Sequence, residues 1–152
     1  MEESIKYANK QVRIRIGLGI TILGFVVFVL GVDPAIFGLN QSPMVGIRQI
    51  TVFLVGLGLI CVGGYIALNA LWNGKQKTIA GDIGLRLVAT GYLISVVSGL
   101  ADVFGFGNQP LPTPAFGEWQ LMGVVIGEIV IAFGFLLLIP VPSRNRVKPW
   151  SG

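Results

Sequence analysis

The residues able to do chemistry in this chain are few. Its 152 residues include no histidine and a single cysteine, Cys61. That excludes imidazole ligation of a haem or metal, imidazole acid–base catalysis and an intrachain disulfide. Cys61 lies inside an apolar run, where a thiol behaves as a small hydrophobe. Serines and threonines are plentiful, but no histidine or intramembrane lysine accompanies them to activate a nucleophile or carry a Schiff base. The glycine spacings that resemble nucleotide-binding loops fall inside apolar runs, not ahead of a soluble helix. The expectation is a protein that is not an enzyme and has no cofactor and no metal site.

One acid stands out. Glu128 sits near the middle of the apolar stretch that follows Gln120, nine residues beyond Trp119. At 1.5 Å per residue that is about 13 Å into a helix. A carboxylate so placed in a membrane costs roughly 2.5–3.5 kcal/mol, so it is expected to face a partner or a cavity. Thr90, Tyr92 and Ser95 lie at similar depth in the preceding apolar run and are its expected partners. No intramembrane Lys or Arg offers a counter-ion, because Arg86 falls near the edge of that run. Three roles stay open for Glu128: a structural bond within the bundle, a bond to another subunit or lipid, and proton or ion handling.

Two connecting loops form the second candidate. DPAIFGLNQSPMVG (33–46) and DVFGFGNQPLPTPAFG (102–117) each hold an acid, then Phe-Gly, then Asn-Gln, then proline. Asp33, Phe37, Asn40 and Gln41 thus parallel Asp102, Phe104, Asn108 and Gln109. Asx residues cap and turn the backbone while proline and glycine set its angles, which accounts for the pattern. Two carboxylates do not make a calcium cage. An ordered, proline-rich loop could still be a docking surface.

The elements that must hold these residues follow from composition. The chain is 53% hydrophobic and 12% charged, with a mean hydropathy of +0.79. A soluble domain carries about 25% charged residues, so the bilayer is the expected solvent. Apolar runs occupy about 14–32, 49–72, 83–104 and 119–139, each near the ~20 residues that span a ~30 Å hydrocarbon core. They are continuous where strands would alternate, and too few for a barrel. The first run resembles the start of a signal peptide, but no small-residue cleavage site follows, so it is read as a retained helix.

Ten of the eleven basic residues fall on one side of this four-span scheme, and only Arg48 falls on the other. The positive-inside rule then places both termini in the cytoplasm and the protein in the cell (inner) membrane. Trp72, Trp119 and Trp150 lie at segment ends, where amphipathic rings favour the headgroup region. The net charge of +4 flanks apolar runs and forms no face, so nucleic acid is not an expected partner.

The chain also repeats itself. Gly17, Leu18, Gly24 and Val29 recur 67 residues later as Gly84, Leu85, Gly91 and Val96. After the first loop the offset becomes 71, relating Gly46, Gln49, Gly56 and Gly63 to Gly117, Gln120, Gly127 and Gly134. Glu128 breaks the pattern, since its counterpart is Leu57. The expected fold is all-α: four transmembrane helices in one domain, arranged as two parallel helical-hairpin repeats (about 14–72 and 83–139) between short tails. Gly17, Gly24, Gly56, Gly63, Gly84, Gly91, Gly127 and Gly134 form stripes of period seven that let helices approach closely.

The function expected from this is non-enzymatic: a small integral membrane subunit or scaffold that packs with other membrane subunits or with itself. The alternatives are an oligomeric transporter or channel using Glu128, and lipid or quinone binding between helices.

Overall fold

A computed structural model describes residues 2–33, 47–72, 76–101, 103–104 and 118–140. They form four helices: α1 (Glu2–Val32), α2 (Ile47–Leu71), α3 (Ile79–Gly99) and α4 (Glu118–Leu138). Within them, apolar spans of 26, 23, 21 and 20 residues reach about 30–39 Å at 1.5 Å per residue. Each is long enough for the ~30 Å core of a bilayer. The protein is an all-α, multi-pass membrane protein.

Two helices start earlier than the apolar runs suggest. α1 begins at Glu2 and not near residue 14, because no glycine or proline precedes Gly17 to interrupt it. α3 begins at Ile79 and not near 83. Thr78 caps it, its hydroxyl accepting from the Gly81 N–H at 3.2 Å, which satisfies an otherwise unpaired donor of the first turn. Arg86 is therefore farther inside a helix than expected. It pairs with Asp82 at 3.2 Å, both side chains largely exposed, toward the α3 N-terminus where helical side chains lean.

The helices pack as two hairpins, α1 on α2 and α3 on α4. Glycines face each other across both. A methyl group placed on Gly17 would come within 2.8 Å of the Gly63 carbonyl oxygen, and one on Gly63 within 2.7 Å of the Gly17 oxygen. Gly24 and Gly56 are reciprocal in the same way, at 3.0 and 2.9 Å. In the second hairpin Gly84 meets Gly134 at 2.6 and 2.7 Å, and Gly91 meets Gly127 at 2.6 Å in both directions. The two pairs of the first hairpin match the two of the second at the sequence offsets of 67 and 71. Lipid tails already shelter apolar groups from water, so close backbone contact, not the hydrophobic effect, supplies the attraction that joins such helices.

The hairpins meet mainly through α2, which touches both α3 and α4. Leu57 and Cys61 of α2 pack with Val88 and Ile131; Phe53 and Leu54 pack with Val124. The Tyr92 hydroxyl donates to the Leu54 carbonyl at 3.4 Å. Trp72, directly after the last residue of α2, is buried against the other helices. Its indole N–H donates to the Leu138 carbonyl at 3.0 Å and its ring covers Gly81. It ties the end of α2 to the last turn of α4 and the first turn of α3.

Candidate functional site: a groove between the hairpins

The sequence offsets that match α1 with α3 and α2 with α4 would match the α2–α3 contact with one between α4 and α1. Among the described residues, the backbone of α1 approaches neither α3 nor α4, and only its Phe28 side chain packs against the clusters that hold Val124 and Ile131. On α2, Leu54 is 5% exposed because α3 covers it; its α4 counterpart, Val125, is 44% exposed. Leu121, matching Ile50, and Phe25, matching Tyr92, are 54% and 58% exposed. The same positions that join the hairpins on one flank stand apart on the other.

A groove of about 450 Å³ fills that gap. Its walls are Phe28 and Val32 of α1 and Val124 and Val125 of α4, over a floor of Ile50 and Phe53. Phe28 and Phe53 meet with ring centroids 4.7 Å apart and planes tilted by 38°. Gln49 stands at its rim and donates to the Val32 carbonyl at 3.4 Å, satisfying a carbonyl that the end of α1 leaves open. The charged side chain in the groove is Glu128, the middle residue of the 21-residue α4.

Helical spacing puts Glu128 there. Val124, Gly127, Ile131 and Gly134 form the buried face of α4, and Glu128 lies one step round from that seam, half-buried. Among the described residues no side chain hydrogen-bonds or ion-pairs with it. The expected partners are committed elsewhere. The Ser95 hydroxyl donates to the Gly91 carbonyl at 3.1 Å and approaches the Val124 carbonyl at 3.4 Å. Tyr92 bonds to α2, and Thr90 is exposed.

The other candidates are dispersed. All eight packing glycines are buried in the two hairpin seams. Asp33 follows α1 directly, its N–H donating to the Val29 carbonyl at 3.0 Å, and Phe104 is exposed in the turn after α3. Phe37, Asn40, Gln41, Asp102, Asn108 and Gln109 lie outside the described residues. Among the described residues no three His, Cys, Asp or Glu side chains gather as metal ligands. Sequence reasoning missed the groove walls and the Trp72 tie. The broken symmetry at Leu57 and Glu128 was the available signal for the first.

Compared with protein families, characterised proteins and solved structures, the chain has no significant match to any.

Proposed function

We propose that this chain is a non-enzymatic integral membrane subunit, which packs within a larger membrane assembly. The observation that carries the reading is the open flank between α1 and α4, with Glu128 at its centre. A carboxyl at mid-span without a partner among the described residues is costly, and a neighbouring protein covering the flank would offset that cost. The glycine stripes give no such support, since both hairpins use them internally.

The finer architecture belongs to the same proposal. The chain is read as two tandem hairpin repeats with both termini cytoplasmic, in the cell membrane. The matched glycine pairs favour the duplication, and the basic residues favour the orientation. A transporter or channel in which Glu128 handles a proton or cation is the second reading, favoured by the same carboxyl beside an open groove.

Isolation from native membranes in a mild detergent, followed by mass spectrometry, separates them. Reproducible co-migration with other membrane proteins is expected. A homogeneous preparation of this chain alone, with flux in liposomes that Glu128→Gln abolishes, would replace the subunit reading by the transport one.

A further inference from the structure

We infer that the Glu128 groove receives a lysine or arginine from the mid-span of a transmembrane helix belonging to a different membrane protein. The inference rests on the subunit reading and specifies the chemistry of the partner. Its first support is charge complementarity. Glu128 is the central residue of α4, its groove is otherwise aliphatic and aromatic apart from Gln49 at the rim, and among the described residues no basic side chain pairs with it. In a low-dielectric setting a cation is the group that a carboxylate attracts most strongly.

A partner helix lying along the mouth of the groove would send one long side chain inward. Lysine and arginine do this readily, since their apolar stems pack along hydrocarbon while the charged head reaches a polar site.

A second copy fits poorly. The basic side chain nearest mid-span is Arg86, which is directed to Asp82. The α3–α4 glycine pairs put Glu128 level with residues 90–91 of α3, so Arg86 sits about 6 Å off that level, with its side chain leaning farther away.

The test uses the full chain in phosphatidylcholine vesicles with a synthetic helix of leucine and alanine as long as α4. One version carries lysine at its centre, a second carries leucine there, and a third carries the lysine two turns away. Energy transfer between labelled chain and peptide reads association. The central-lysine helix should bind at least tenfold more tightly than either control. Glu128→Gln, which keeps shape but removes charge, should erase the preference. Val125→Trp, on an exposed position at the mouth, should do the same by obstruction.

Equal binding of the leucine helix, or a preference that survives Glu128→Gln, would overturn the inference. So would self-association of the wild-type chain that Glu128→Gln or Arg86→Gln abolishes, because the occupant would then be a second copy. If native isolation yields companions while the lysine helix shows no preference, the inference fails and the subunit reading stands.

Discussion

Alanine substitution at Gly63 and Gly134 tests whether the hairpins are held by backbone contact. At Gly63 a new methyl would sit 2.6 Å from the Thr21 nitrogen and 2.7 Å from the Gly17 oxygen. At Gly134 it would sit 2.7 Å from the Gly84 oxygen and 2.8 Å from the Val88 nitrogen. Ordinary contact begins at 3.4 Å, so the helices must part by about 0.7–0.8 Å. A gap of that order forfeits a quarter to a half of the dispersion attraction along the seam. Overpacking of this kind costs about 1–3 kcal/mol, while replacing glycine by alanine in a helix returns ~0.8–1.0 kcal/mol. Each variant should therefore lose about 1 kcal/mol net. Gly19→Ala is the control: nothing lies within 4 Å of the new methyl, so it should gain about 1 kcal/mol. Helicity followed through a titration of mild-detergent micelles with dodecyl sulfate measures all three. If Gly63→Ala and Gly134→Ala stabilise the protein as Gly19→Ala does, the close glycine seams do not exist. If the two differ strongly from each other, the hairpins are not built alike.

Three further outcomes follow from contacts elsewhere in the bundle. Trp72→Phe removes the donor to the Leu138 carbonyl together with the Cζ2 and Cη2 atoms that lie over Gly81. The hydrogen bond alone should cost about 1 kcal/mol in the same titration, and the lost contact adds to it. Ser95→Ala should cost less, about 0.5 kcal/mol, because the Gly91 and Val124 carbonyls that its hydroxyl meets lie in helices that offer them backbone donors. Cys61 is 8% exposed in the core between the hairpins. A membrane-permeant maleimide should modify it only under conditions that separate the hairpins, and rapid labelling of the folded protein would contradict its placement.

Much of the fold was legible in the sequence because a membrane imposes it locally. Every backbone polar group must find a partner inside hydrocarbon, so a long apolar run has little choice but to be a helix. Run length and the absence of polar interruptions therefore located α2 and α4 to within two residues. The glycine stripes of period seven likewise announced which faces would meet. Which glycine meets which came from the structure: Gly17 and Gly24 face Gly63 and Gly56, and Gly84 and Gly91 face Gly134 and Gly127. Helix ends outside hydrocarbon were less legible. α1 continues through polar residues to Glu2, and Thr78 starts α3 four residues early by a cap that hydropathy does not register.

The sequence by itself also determined that Glu128 lies at mid-span, since depth along a helix is only a count of residues. What it could not determine is what the carboxyl faces. Thr90, Tyr92 and Ser95 share its depth, yet two of them turn to backbone carbonyls and the third to the outside. The meeting of the two hairpins decided this, and that meeting depends on side chains far apart in the chain: Trp72 on Leu138, Tyr92 on Leu54, Cys61 among Val88 and Ile131. Because those contacts gather on one flank through α2, the opposite flank stays open among the described residues. Tertiary packing alone placed the membrane carboxyl in that opening, for depth is a property of one helix and exposure is a property of the neighbours it lacks.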